Sequence, residues 1–234
     1  MNTNPIQRRK LYHEVFDRLM VRIKEGEFAP GSHLPSERDL MDTYCVGRPA
    51  IREALQQLES CGLVTITHGE RARVVMPTAK AMVNRLADTV LYMLEVSKDS
   101  VTHLREVRLL LETGLVRMAA ERCDQRDLDL LEQCLDEHKQ ATSESDDFVE
   151  RDMAFHVQIA TISGNPILSA ATEGILDWLK MHHQAVVQFR GAEKLALQEH
   201  QEIFDAIKAH DPDEAAKIMA IHLNRTNPLL QNHP

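Results

Sequence analysis

Four side chains in the C-terminal part of this sequence have the types and spacing to hold a metal ion. Asp152 and His156 stand four residues apart, on the face of one helix that also carries Ile159. His200 lies among Leu197 and Ile203, and His222 among Ile218 and Ile221, on the last two helical stretches. One carboxylate and three imidazoles from three helices suit a divalent cation, with Zn2+ first and Mn2+ or Ni2+ as alternatives. The chain has twelve histidines, and a histidine on an apolar face also reads as a hydrogen-bonded core residue, so spacing alone leaves both readings open. Four protein ligands leave open positions on a six-coordinate ion. An enzyme uses such positions to activate water, and a sensor uses them to hold an oxygen-rich metabolite. No general base or nucleophile constellation accompanies the four, which favours sensing.

The second constellation is cationic. Arg48 and Arg52 are one helical turn apart, and with Gln56 they share a face opposite Ile51, Ala54, Leu55 and Leu58. Arg38 precedes them, and Arg71 and Arg73 follow at strand spacing. Arginines so placed can pair bidentately with guanine or bond to phosphate.

These side chains imply the elements that carry them. An apolar stripe of Leu11, Val15, Phe16, Leu19, Met20 and Ile23 predicts a helix over 10–25, ended by Gly26 and Pro30-Gly31. Ser36 followed by Asp39 fits a capping box for a short helix from Glu37 to Tyr44. Gly47 and Pro49 open a helix over Arg48–Ser60, which Gly62 stops. Strands at Leu63–Thr67 and Arg71–Val75 flank a turn at His68-Gly69-Glu70, with Arg71 and Arg73 on one face and Ala72 and Val74 on the other. Three helices and a two-stranded wing in that order describe a winged helix-turn-helix over residues 1–76.

Beyond Pro77 the pattern is helical throughout, near 78–97, 101–122, 126–141, 145–162, 166–189, 192–209 and 213–226. The expected class is mainly α: a winged helix-turn-helix, then an all-α antiparallel bundle of about seven helices over 77–234, joined by a linker at Met76–Ala79.

Leu34-Pro35-Ser36-Glu37-Arg38 and Gly47-Arg48-Pro49-Ala50-Ile51-Arg52-Glu53-Ala54-Leu55 resemble the signature of the GntR family of bacterial regulators. The resemblance implies operator-DNA contacts at Arg38, Arg48, Arg52 and the wing-tip Gly69. It departs from the family in having Gly47 where serine is usual, and Gly69-Glu70-Arg71 where the wing usually reads Gly-x-Gly. Asp152-Met153-Ala154-Phe155-His156, Gly164-Asn165-Pro166, Glu199-His200 and Ile221-His222-Leu223 resemble the FCD effector domain of the FadR subfamily over roughly 100–225. That resemblance implies metal ligation by Asp152, His156, His200 and His222, and an effector-facing Arg108. The alternative for Arg108 is a helix salt bridge with Glu112.

The wing Gly69–Val74, Gly164-Asn165-Pro166-Ile167 and Ile175-Leu176-Asp177-Trp178-Leu179 are similar to NanR-type regulators of sialic acid catabolism. The similarity implies a homodimeric repressor of a sugar-acid catabolic operon, released by a small carboxylate such as N-acetylneuraminate. Lactate, a dicarboxylate or a hexuronate on the same regulator is the alternative, as is a DNA-tethered helical metalloenzyme.

Bulk properties agree with this reading. The net charge is −9, but residues 1–76 hold 11 basic against 10 acidic side chains, so the acidity lies in the remainder. Four scattered cysteines form no CxxC pair and read as reduced thiols. No apolar run approaches the length of a membrane span, so a cytoplasmic protein without a membrane partner is expected.

Overall fold

Ser36 makes the capping box that its spacing predicts. Its hydroxyl accepts from the Asp39 backbone N–H, and the Asp39 carboxylate accepts in return from the Ser36 N–H, which satisfies two donors at a helix start. In this computed structural model, which describes residues 10–97, 99–141, 146–182 and 192–225, that helix is α2 (Glu37–Tyr44). It follows α1 (Leu11–Lys24) and precedes α3 (Arg48–Ser60). Cys45 turns the chain between α2 and α3 in the left-handed region, at φ 53°. Gly47 caps α3 without a side-chain bond, Pro49 has no N–H to satisfy, and Ala50 N–H donates to the Gly47 carbonyl. Val15, Leu19, Leu40, Ile51, Leu58 and Val74 close one core beneath these helices.

β1 (Val64–Thr65) and β2 (Arg73–Val74) pair antiparallel, with Val64 opposite Val74 and Thr65 opposite Arg73. They are shorter than the expected strands. The other edge of the second strand is taken by the segment before α2: Leu34 N–H donates to the Ala72 carbonyl and Gly31 N–H to the Val74 carbonyl. Gly69 holds the wing tip with φ +82°, a conformation that favours glycine.

The chain divides into two compact units, Met1–Met82 and Val83–Pro234, a boundary six residues beyond the expected one. The second unit is helical: α4 (Ala79–Asn84) straddles the boundary, followed by α5 (Ala87–Val96), α6 (Ser100–Arg122), α7 (Gln125–Gln140), α8 (Asp146–Ile162), α9 (Pro166–His182), α10 (Ala192–Lys208) and α11 (Pro212–Arg225). Leu115, Val116, Phe155, Ile159, Ile203 and Met219 lie at its centre. The part of the helix expected over 166–189 that follows His182 lies outside the described residues.

The single helix expected over 78–97 is two. Neither glycine nor proline marks the break at Arg85-Leu86, so tertiary packing sets it rather than local propensity. Val83 is buried where α9 presents Gly174, and a β-carbon at Gly174 would stand 2.2 Å from Val83 Cγ1. Gly174→Ala is therefore expected to lower stability. Overpacking costs about 1–3 kcal/mol, against a helix-propensity gain of about 1 kcal/mol. Adding Val83→Ala should recover part of that loss. Thermal melts of the two single variants and the double variant measure the coupling.

Candidate metal centre and nucleic-acid interface

Helix α8 places Asp152 and His156 on consecutive turns, α10 supplies His200, and α11 supplies His222. One ligand atom from each of the four lies within 4.8 Å of the others. The three imidazoles are buried, and Asp152 is half-buried. His200 Nε2 is 3.3 Å from His222 Nε2 and 3.5 Å from an Asp152 oxygen, and His156 Nε2 is 3.9 Å from the other Asp152 oxygen. Phe155 stacks on the His200 ring at 4.5 Å between centroids.

The opposite nitrogens face outward to a second ring of groups. His222 Nδ1 donates to Glu199 Oε2 at 2.8 Å, and His156 Nδ1 lies 2.5 Å from Glu112 Oε2. His200 Nδ1 lies 3.3 Å from His138 Nδ1. A carboxylate behind an imidazole fixes the proton on Nδ1 and aims the Nε2 lone pair inward, the arrangement usual for metal-ligating histidines. His156 Nε2 is buried without a hydrogen-bond partner, which in a protein interior calls for an ion, a water or a ligand. The donor set therefore fits a divalent cation.

Electrostatics point the same way. Burial pushes His200 well below the ordinary histidine value, helped by the neighbouring imidazoles, so it stays neutral and able to ligate. Burial also takes His222 down to about 3, with His156 adding to the shift. Burial alone would raise Glu112, but Arg108 and then His156 outweigh it and hold the carboxyl at about 2.

A pH dependence follows. In metal-free protein the unfolded chain takes up protons as pH falls through about 6.5, while folded His222 resists until about 3. The stability these histidines contribute is thus complete above about 6.5 and lost as pH falls from there. The loss reaches at most about 1.4 kcal/mol per pH unit per histidine. Chelator-treated protein should melt at lower temperature at pH 5 than at pH 7.5, and a flat profile would contradict burial of neutral imidazoles.

Arg108 is no plain surface cation. Its Nε donates to Glu112 Oε1 at 2.6 Å, with the arginine side chain only 16% exposed. The helix pair weighed against an effector role is thus present, and through Glu112 it links Arg108 to His156. Glu112 and Glu199 entered the sequence reading only as an ion-pair partner and a motif letter, and His138 did not enter it. His138 continues the apolar stripe Leu131–Leu135 of α7 at helical spacing and is fully buried. A histidine closing such a stripe is the signal that points to it.

On the first unit, Arg48 and Arg52 project from the start of α3, with side chains 60% and 61% exposed. One carboxylate holds both: Glu37 Oε2 lies 3.2 Å from Arg48 Nε, and Glu37 Oε1 accepts from Arg52 Nε at 2.9 Å. Arg38 is exposed on α2, and Arg71 is exposed beside the tip formed by Gly69. Arg73 is exposed too, but its Nε donates to the Gly31 carbonyl at 2.8 Å, which ties it to the wing's own fold.

The four cysteines are free. Among the described residues no helix is long and apolar enough to cross a membrane.

Comparison with known proteins gives a consistent picture. Residues 11–74 match the bacterial regulatory proteins of the gntR family, and residues 103–225 match the FCD domain. The chain is 39% identical over 226 residues to the HTH-type transcriptional repressor NanR of Cronobacter sakazakii, covering 96% of this chain and 86% of that protein. It is 38% identical, with the same coverage, to the repressor of that name from Escherichia coli. Among solved structures, Streptococcus agalactiae GntR superposes with a TM-score of 0.67 at 25% identity, covering 91% of this chain and 97% of that one. E. coli McbR/YncC, at 19% identity and a TM-score of 0.52, shares the fold.

Proposed function

The chain belongs to the gntR family of bacterial regulatory proteins and carries an FCD domain, and on that premise we propose that it is a DNA-binding transcriptional repressor whose helical unit senses a small carboxylate at a metal centre. The observation that carries the sensing half is the inward convergence of three Nε2 atoms and the Asp152 carboxylate. A divalent cation there, Zn2+ before Mn2+ or Ni2+, supplies a charge that accepts oxygen donors from a ligand. His156, His200 and His222 turn their Nε2 atoms to it, Glu112 and Glu199 orient two of those rings, and Arg108 adds positive charge on the Glu112 side. N-acetylneuraminate is the effector we propose, since relatives 38–39% identical over most of the chain bear the NanR name and its carboxylate and hydroxyls suit such a centre.

The first unit would place α3 in the major groove, with Arg48 and Arg52 on base edges or phosphates, while Arg38, Gly69, Arg71 and Arg73 hold the backbone. One reading helix covers only a few base pairs, so a two-fold homodimer is needed for usable specificity. Apolar surface for it is at hand in the helical unit: Leu110 is 79% exposed, with Val107 beside it on α6 and Tyr92 and Val96 on α5. Such a regulator works in the cytoplasm on operator DNA, with no catalytic step. An effector that favours one head-to-head geometry a hundredfold supplies about 2.7 kcal/mol, enough to empty an operator.

Two experiments test the proposal. Isothermal calorimetry should show N-acetylneuraminate binding to metal-loaded protein and lost after chelation. Equal binding to both forms would remove the metal from the sensing site, and binding of lactate, a dicarboxylate or a hexuronate instead would change the effector. Sedimentation at micromolar concentration should give a dimer that Leu110→Glu weakens. A monomer with and without DNA would overturn the assembly.

A further inference from the structure

His138 lies outside the four-ligand set yet is fully buried against it, its ring 4.3 Å from Phe148 and 5.2 Å from His200 between centroids. Of the three groups behind the ligand imidazoles, two are carboxylates, which only accept. His138 is the third, and a neutral imidazole can either donate or accept. Its Nδ1 faces His200 Nδ1 at 3.3 Å, and its Nε2 is buried with no hydrogen-bond partner.

These contacts order the protons along a chain. Glu199 keeps the His222 proton on Nδ1, so His222 Nε2 is a bare acceptor. Without a cation, His200 Nε2–H donates to it across 3.3 Å, which leaves His200 Nδ1 bare to accept from His138 Nδ1–H. A cation needs the His200 Nε2 lone pair, so His200 must then carry its proton on Nδ1, and that proton can only point at His138 Nδ1.

From this we infer that His138 is a tautomer relay, a positioning residue that exchanges protons with His200 as the centre fills. The Nδ1 proton passes from His138 to His200, His200 Nε2 releases its proton to solvent, and His138 Nε2 takes one up. Each ring stays neutral and keeps one proton throughout. The filled state leaves the proton on the buried, unpartnered His138 Nε2, so the environment of that nitrogen tunes the affinity of a centre one residue away. The inference rests on the four-ligand reading of Asp152, His156, His200 and His222.

Long-range proton–nitrogen correlation spectra of the full chain report imidazole tautomers directly. The expected result is His138 protonated on Nδ1 in chelator-treated protein and on Nε2 after loading with Zn2+. The same His138 tautomer in both states overturns the relay. Titration with Co2+, followed by its visible spectrum and by competition with a chelator, gives a second readout. His138→Phe should weaken Co2+ about 10–100-fold, the usual effect of removing an outer partner. His138→Asn, whose side-chain oxygen can accept the His200 Nδ1–H, should restore most of it. Equal affinities for wild type and a folded His138→Phe protein overturn the relay alone. Failure of the wild type to take up Co2+ or Zn2+ overturns the four-ligand reading with it.

Discussion

Replacing His200 with alanine is expected to weaken divalent-cation binding by more than about 100-fold, since loss of an outer partner alone costs about 10–100-fold. His200 is the central imidazole of the cluster, in contact with His222 and Asp152 through Nε2 and with His138 through Nδ1. Its removal opens the middle of the set rather than its rim. Phe155 stacks on the same ring, so the alanine variant also loses packing and is expected to melt lower. Asp152→Ala separates the two effects, because Asp152 is half-buried and its side chain fills no part of the apolar core. Both variants should lose stoichiometric Zn2+ in equilibrium dialysis, and only His200→Ala should lose several degrees of metal-free stability. Both should also lose the effector response by calorimetry. Metal uptake by Asp152→Ala at wild-type affinity would remove the carboxylate from the ligand set.

The convergence of Asp152, His156, His200 and His222 was legible in part: a helix restricts which residues share a face, and the FCD resemblance joined the four across three helices. Asp152 and His156 at i, i+4 leave little freedom, and His200 and His222 each sit inside an apolar stripe. The groups behind them were not legible. Glu112 reads as a helix ion-pair partner of Arg108, and it is one. That its second oxygen also meets His156 depends on α6 packing against α8, which no local spacing encodes. His138 reaches His200 across 62 positions of sequence, and only a tertiary structure joins them. The same distinction explains the first unit. The capping box at Ser36–Asp39 and the Arg48/Arg52 face follow from local rules and appear as expected. The short wing strands do not, and pattern alone gives no sign that Gly31–Leu34 pairs with the opposite edge of β2. Arg73 looked equivalent to Arg71 by alternation, yet its bond to Gly31 gives it work in the fold.

The head itself should respond most to Arg52. Its guanidinium is exposed and held through Nε by Glu37, so the Nη nitrogens can address the guanine O6 and N7 acceptors as a fork. Arg52→Ala is expected to cost about 1–3 kcal/mol of specific operator binding, roughly 5- to 150-fold, while non-specific DNA affinity falls much less. Arg48→Ala should behave alike if it also reads a base. Arg52→Lys keeps the charge but not the fork, so it should restore non-specific binding without restoring discrimination between operator and mismatched sites. Arg71, beside the wing tip, provides the contrast: Arg71→Ala should weaken all sequences together and lower the salt slope by about one. Fluorescence anisotropy against operator and scrambled duplexes at several salt concentrations measures each quantity. Folding stability should barely move in the Arg52 variants, because an ion pair whose arginine lies mostly in solvent contributes little. Unchanged operator affinity for both Arg48→Ala and Arg52→Ala would mean that α3 is not the reading helix, and that these arginines serve only as partners for Glu37.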